Sequence, residues 1–87
     1  MPNHQVLLAI LLILEQEGQS IELHEEIWHQ LNLGANLLES LENNFDNRLI
    51  ENINVPNLTD RGRKIAQDAL YLDLEREILS LVNTLAV

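Results

Sequence analysis

The chain has 87 residues, no cysteine and a formal net charge of −9, and 46% of its residues are hydrophobic but only 3% aromatic. This length predicts one domain over residues 1–87, with a core of packed helices built from Leu, Ile, Val and Ala. Without cysteine, disulfides, thiol nucleophiles and thiolate metal sites are excluded, and we expect an intracellular, cytoplasmic location.

Nearly all of the excess negative charge lies in the first half of the chain. Residues 1–47 contain eight acidic residues and no Lys or Arg, whereas residues 48–87 contain six acidic and five basic residues. Binding to nucleic acid requires clustered Lys and Arg that neutralise phosphates. The charge therefore favours a basic protein or peptide as partner and disfavours DNA.

The longest apolar run, Val6 to Leu14, has nine residues, whereas a transmembrane helix needs about 20. We expect no membrane contact and predict a first helix from Asn3 to Glu17 that stops at Gly18. Apolar residues surround this helix, so either the other helices wrap it or one face contacts a second subunit. We favour the second subunit, because a short chain has little else to cover such a helix.

A second helix is predicted over residues 22–31, with Ile27, Trp28 and Leu31 on one apolar stripe. Trp28 is the only tryptophan, and we expect it to anchor the core while its indole nitrogen finds a hydrogen-bond partner. Residues 32–34, Asn-Leu-Gly, predict a turn with left-handed residues.

The third helix is predicted over residues 35–46, with Asn47 as its left-handed cap. Residues 48–55 alternate imperfectly between polar and apolar and predict a strand, and residues 54–57 predict a turn. Thr59 is expected to cap the following helix, with Asp60 in its first turn. The side chains of helix three expected in the core are Leu37, Leu38, Leu41 and Phe45.

Residues 60–86 carry two apolar stripes that no proline interrupts. They predict either one long helix or two helices that meet near residues 71–73. Two stripes exceed what one small domain can cover, so we expect this region to pair with the first helix across a twofold axis in a homodimer. The predicted dimer interface comprises Leu7, Leu11, Leu74, Ile78, Leu81 and Leu85.

The predicted order of elements resembles a winged helix-turn-helix domain. The most specific part is Leu58-Thr59-Asp60-Arg61-Gly62-Arg63, because Leu-Thr-x-x-Gly-Arg closes the wing and opens the next helix in bacterial regulators similar to the MarR and PadR families. The resemblance covers residues 6–69 and implies a mainly α fold with a small β-wing, in which a winged-helix core over 1–69 precedes a dimerisation helix over 70–87. It is also carried by residues 11–14, Ile27, residues 31–33, Leu37, Leu41, Leu49 and Ile50.

The chain departs from these regulators at the helix that would enter the DNA major groove. Its polar positions are acids and amides instead of residues that contact phosphates and base edges, and no basic residue precedes Arg48. A wing over residues 53–58 has room for barely a turn and has no basic tip. We therefore expect this helix to contact a protein surface. The predicted partner-binding residues are Asn36, Glu39, Ser40, Glu42 and Asn43.

The predicted basic cluster comprises Arg61, Arg63 and Lys64, with Arg48 close before the wing. Either it holds a phosphate or an acidic partner, or Asp60 pairs with Lys64 at i,i+4 and the other side chains are solvated. We favour the second alternative, because it needs no ligand. The Asp60–Lys64 ion pair would contribute only a few tenths of a kcal/mol to stability.

The sequence does not predict a metal site, a cofactor or an active site. His24 and His29 are five residues apart, whereas metal-binding histidines on a helix are usually four apart, and with Glu25 they lack a convincing further ligand. The paired acids of the second and third helices have no nucleophile motif beside them. We therefore expect a protein that is not an enzyme.

Together these observations predict a small regulatory protein that acts mainly by protein–protein interaction through its acidic second and third helices. The resemblance extends to small bacterial proteins encoded beside a peptidase of stress-response systems, which implies a negative regulator of such a neighbouring peptidase or regulator. The alternatives are a DNA-binding transcriptional regulator that uses the basic residues, and a structural subunit of a complex.

Overall fold

The computed structural model describes residues 3–86, and within them the chain forms five α-helices. The helices are α1 (Asn3–Gln16), α2 (Leu23–Leu31), α3 (Leu37–Asp46), α4 (Asp60–Ala69) and α5 (Leu72–Leu85). Helix α1 lies at the centre and contacts each of the other four, while α2 also packs against α5. The apolar run of α1 is therefore the middle of the core, and every residue from 6 to 14 is buried.

The burial of α1 within one chain removes the reason for expecting a second subunit. Leu7 and Leu11, which were predicted at a dimer interface, are 0% exposed, as is Ile78 of α5. Leu74, Leu81 and Leu85 are partly buried and pack against the same core. The premise that α1 needs a partner is wrong, because α2 to α5 bury its apolar residues 6–14 within the same chain. Homodimerisation itself stays a prediction.

The β-wing predicted from the sequence is wrong. Residues 3–86 contain no strand, and the segment between α3 and α4 forms a single antiparallel bridge between Ile50 and Leu58. The Asn52 side chain explains the absence of a longer ladder, because its Oδ1 accepts from the backbone N–H groups of Asn54 and Val55, at 2.8 and 3.2 Å. This local bonding competes with strand pairing, and Pro56 has no N–H to contribute.

Local signals placed most helix ends correctly. The predicted turn after α2 is confirmed, since Asn32 and Gly34 have φ values of 52° and 68°. Asn47 was predicted as a left-handed cap, but it has φ −88°, and the left-handed residue is Arg48, with φ 59°. The cap at Thr59 is confirmed, since its hydroxyl accepts from the backbone N–H of Gly62 at 3.0 Å.

The C-terminal region forms two helices, which was one of the two predicted alternatives. Helix α4 ends at Ala69 and α5 begins at Leu72, because Leu70 and Tyr71 both have extended backbone conformations. The break turns α5 so that it contacts both α1 and α2. It is this change of direction that allows one short chain to cover α1.

Gly62 is where α4 approaches the chain that leaves α3. A Cβ atom at this position would overlap the Leu49 carbonyl oxygen and lie 2.9 Å from the carbonyl carbon. Thr59 binds the same turn, since its hydroxyl donates to the Arg48 carbonyl at 2.8 Å. The Leu-Thr-x-x-Gly-Arg sequence therefore fixes the start of α4 against the end of α3.

Candidate protein-binding groove

Two large apolar side chains of α3, both predicted to be buried, are exposed. Leu38 is 55% and Phe45 is 42% exposed, whereas Leu41 lies in the core. Leu38 and Phe45 are seven residues apart, so they lie on one side of α3, about 10 Å apart along its axis. Val55, Tyr71 and Leu72 are also exposed, but Leu38 and Phe45 are aligned along one helix, which makes this side of α3 a candidate contact surface.

An open groove of about 500 Å³ lies beside the N-terminal half of this surface. Helix α2 forms one wall and α3 the other, and residues 53–54 close one side. We call it the α2–α3 groove. Its main polar side chains are His24, Glu25 and His29 of α2, and its apolar floor contains Leu37, Leu38 and Leu41 of α3.

A second hollow, of about 470 Å³, lies at the other end of the exposed surface. It is lined by Phe45 and Asp46 of α3 together with Arg48, Ile50 and Glu51 from the segment that follows. The exposed side of α3 thus runs from one concave region to another. A rod-shaped segment of a partner protein could contact both hollows while lying along α3.

His24 of α2 lines the α2–α3 groove, and one of its two ring nitrogens is engaged within the chain. Its Nδ1 lies 2.6 Å from the Ile21 carbonyl oxygen, and because a carbonyl only accepts, Nδ1 must carry the proton. In the neutral ring, Nε2 is then an acceptor, and within residues 3–86 it has no hydrogen-bond partner. The side chain is only 7% exposed, so its position is fixed by packing as well as by this hydrogen bond.

Four carboxylates without an ion-pair partner among residues 3–86 lie near the exposed apolar side chains, and Arg48 beside Phe45 is the basic residue closest to them along the chain. Glu25 of α2 and Glu39, Glu42 and Asp46 of α3 are all exposed. The salt bridges within the described part of the chain join Arg63 to Glu15 and Asp60, so none of these four carboxylates has a cationic partner there. An apolar strip edged by free carboxylates is complementary to a segment that carries both apolar and basic side chains.

The predicted partner-binding residues of α3 divide into three groups. Glu39, Glu42 and Asn43 lie on its exposed surface. Asn36 is the N-cap of α3, and its Oδ1 accepts a hydrogen bond from the Glu39 backbone N–H at 3.1 Å. Its side chain therefore stabilises the start of the helix. Ser40 is 1% exposed and turned into the protein, which corrects its placement on a partner-binding face.

Sequence reasoning missed a buried polar cluster where α3 meets the first turn of α1. The Asn44 amide donates to the carbonyl oxygens of His4 and Ser40, at 3.1 and 2.9 Å. Asn44 Oδ1, Ser40 Oγ and His4 Nδ1 are buried and have no protein partner among residues 3–86. His4 and Ser40 also line a hollow of about 410 Å³. The only signal for this cluster was an Asn four residues after a Ser, which is usual on an exposed helix face.

The predicted basic cluster is partly occupied by contacts within the chain. Arg63 Nε lies 2.6 Å from Glu15 Oε1, and its Nη1 lies 2.8 Å from Asp60 Oδ1. The hydrogen bond to Glu15, followed by the charges of Glu15 and Asp60, raises the pKa of Arg63 above its already high ordinary value. The predicted pairing of Asp60 with Lys64 is wrong, because Asp60 bonds to Arg63 one position earlier.

The geometry of residues 3–86 supports neither a metal site nor a membrane-spanning helix. Within that range, no group of three or more His, Asp or Glu side chains could hold a metal ion. No helix there is long and apolar enough to cross a membrane.

No model of a known protein family matches the chain, and comparisons with curated proteins and with solved structures return no match. The resemblance to MarR and PadR regulators therefore stays a prediction from a few sequence positions.

Proposed function

We propose that this chain is a protein-interaction domain that binds a basic, amphipathic helix of a partner protein along α3. The observation that carries the proposal is the exposure of Leu38 and Phe45 on one side of a helix edged by unpaired carboxylates. The α2–α3 groove and the hollow beside Phe45 give this surface the concave shape that a partner helix requires.

The spacing of the two exposed side chains supports a helical partner. Apolar residues at positions i and i+7 of an α-helix lie about 10 Å apart on one side, which is the separation of Leu38 and Phe45 along α3. Apolar side chains of the partner at i, i+3 or i+4, and i+7 would cover both residues and the strip between them. The docked helix and α3 would thus bury matching apolar sides.

The energetic roles of the two kinds of side chain differ. Burying a large apolar side chain fully contributes about 1.5–3 kcal/mol, so covering two half-exposed ones contributes a few kcal/mol at most. The carboxylates add speed and selectivity, because they attract basic segments and repel acidic ones. We therefore expect a complex that is specific, salt-sensitive and easily reversed.

The resemblance to small bacterial winged-helix regulators implies that binding of the partner helix is regulatory. A domain that occupies a basic helix of another protein prevents that helix from binding elsewhere, which is how a negative regulator acts. The proposed target is a protein encoded nearby, such as a peptidase or regulator of a stress response. DNA binding is less well supported, since Arg63 is engaged by Glu15 and Asp60 and the exposed side of α3 is acidic.

The test is calorimetric titration of the chain with a designed helical peptide that carries Leu at i, i+3 and i+7 and basic residues elsewhere. We expect binding at low salt that weakens at high salt, and nuclear magnetic resonance shifts centred on α3. Leu38→Ser and Glu42→Lys should each weaken binding, by about tenfold for the first. Leu72→Ser and Glu77→Lys are matched controls, since Leu72 is 61% exposed and both lie on α5.

Two results would contradict the proposal. The first is equal binding of the peptide to the α3 variants and to the α5 controls. The second is the absence of any salt-sensitive peptide or protein complex alongside tight binding to a DNA fragment in a mobility-shift titration. If the chain is instead a structural subunit, charge reversal at Glu39 and Glu42 should have no effect on any partner.

A further inference from the structure

We infer that the α2–α3 groove is a subsite for an arginine side chain of the partner, with His24 and Glu25 as its acceptors. The inference rests on the proposed function, since it names one residue that the bound basic segment must contain. Its acceptors are side chains of α2, whereas the proposed docking of a helix depends on Leu38 and Phe45 of α3.

The ring of His24 is held so that it can accept a hydrogen bond from a ligand in the groove. The Ile21 carbonyl fixes the proton on Nδ1, at 2.6 Å, and packing fixes the ring plane. The free Nε2 is the acceptor of a buried residue that lines an open groove. Nε2 is not among the buried polar atoms that lack a partner in the described part of the chain, so water can reach it and donate to it, and an N–H group of a ligand can take the place of that water.

Glu25 supplies the charge beside this acceptor. It follows His24 directly on α2, lines the same groove and has no salt-bridge partner within residues 3–86. A ligand that satisfies both residues carries positive charge and donates one N–H group to each of them. A carboxylate or phosphate is disfavoured as the occupant, because Glu25 would repel it and His24 in this tautomer offers it no proton.

The floor of the groove distinguishes arginine from lysine. Leu37, Leu38 and Leu41 provide an apolar surface on which an alkyl stem and a flat, weakly hydrated guanidinium can lie. The guanidinium has five N–H donors in a planar fork, so it can reach Nε2 and a carboxylate at the same time. The ammonium group of lysine is a compact, strongly hydrated charge that gains less from this surface.

The experiment uses the helical peptide described above, with one arginine placed to enter the groove and replaced in turn by lysine and by citrulline, its neutral isostere. We expect affinity to fall about fivefold with lysine and about tenfold with citrulline. In the chain, Glu25→Gln should weaken binding of the arginine peptide about fivefold and leave the citrulline peptide unchanged. Glu26→Gln is the matched control, because Glu26 is the next residue, is exposed and does not line the groove.

A second measurement does not depend on the peptide. The chain labelled with ¹⁵N is titrated with Nα-acetylarginine amide, and the imidazole nitrogens are followed in long-range ¹H–¹⁵N spectra. We expect the free protein to show His24 protonated at Nδ1, and the Nε2 resonance of His24 to shift on addition of the arginine derivative. The corresponding citrulline derivative should cause no such shift.

The outcomes separate the subsite from the proposed function. If the peptides bind along α3 but arginine, lysine and citrulline are equivalent, and His24 Nε2 does not respond, the subsite is overturned and the docking of a basic helix stands. If the arginine derivative shifts His24 Nε2 but no peptide binds to α3, the subsite is supported and the proposed function fails. Equal effects of Glu25→Gln and Glu26→Gln would overturn the subsite.

Discussion

The Asn44 side-chain amide donates a hydrogen bond to the backbone carbonyl of His4, 3.1 Å away and 40 positions earlier in the chain. The same amide donates to the Ser40 carbonyl at 2.9 Å. A buried side chain thus ties the last turn of α3 to the first turn of α1. Because α3 carries the proposed contact surface, this hydrogen bond sets how that surface is oriented on the core.

Replacing Asn44 by Ala should destabilise the fold. The substitution removes both donated hydrogen bonds and leaves the His4 carbonyl without this donor, for an expected loss of about 1–3 kcal/mol in the free energy of unfolding. Urea unfolding followed by Trp28 fluorescence measures it. Asn43→Ala is the control, since Asn43 is exposed and a surface substitution of this kind changes stability by about 0.5 kcal/mol or less. Equal losses for the two variants would contradict a specific role of Asn44.

Ser40→Ala should not destabilise the fold, although Ser40 is as deeply buried as Asn44. The hydroxyl has no protein partner within the described residues, so removing it relieves a buried polar group instead of breaking a bond. We expect stability to be unchanged or to rise by about 1 kcal/mol. A loss of more than that amount would show that Ser40 Oγ makes a hydrogen bond in solution, for instance to an internal water.

These two residues also explain why the exposed surface of α3 was not predicted. The apolar residues Leu37, Leu38, Leu41 and Phe45 recur at helical spacing, and the pattern places them together in the core. The buried side is instead turned by roughly 60°, because Ser40 and Asn44 face α1 and replace Leu38 and Phe45 there. A pattern that treats Ser and Asn as surface residues cannot show this, since the bond to His4 is a tertiary contact.

Other parts of the fold were predictable to the extent that their causes are local. The caps at Thr59 and at the turn after α2 depend on residues next to them in sequence, and both predictions are confirmed. The wing depended on pairing between strands, whereas the Asn52 side chain binds the backbone N–H groups of Asn54 and Val55. The sequence pattern did not predict that the other helices cover α1, because this depends on the break at residues 70–71, which redirects α5.

Gly62→Ala should be among the most damaging single-methyl additions. The new Cβ would overlap the Leu49 carbonyl, and backbone on both sides is fixed by the Thr59 cap, so the clash cannot be relieved by a side-chain rotation. We expect a loss of at least about 2 kcal/mol. Thermal unfolding measures it, and Gln67→Ala on the exposed side of α4 should be neutral or slightly stabilising. A Gly62→Ala variant as stable as the parent would mean that α4 can shift away from Leu49 without cost.

The ion pair between Arg63 and Glu15 should stabilise the fold in a salt-dependent way. Its partners raise the pKa of Arg63 in the folded chain, so its contribution is fully present below the ordinary pKa of arginine and is lost only as pH rises through the higher folded value. The Tm difference between the parent and Arg63→Gln should therefore be small, constant from about pH 7 to pH 10, and smaller at high salt. Arg61→Gln, at an exposed position on the same helix, should show no such salt-dependent loss.

The exposed position of Leu38 predicts a separation of stability from binding that a core residue cannot show. Leu38→Ser should lower the free energy of unfolding by only about 1 kcal/mol, since about half of the side chain is already in water, yet weaken binding of the basic helical peptide. Leu41→Ser, one turn further along, removes a core side chain and should cost about 3 kcal/mol or more. Chemical unfolding and peptide titration of both variants decide the matter. If Leu38→Ser unfolds the chain as readily as Leu41→Ser, Leu38 belongs to the core, and the surface proposed to bind a partner is not free to do so.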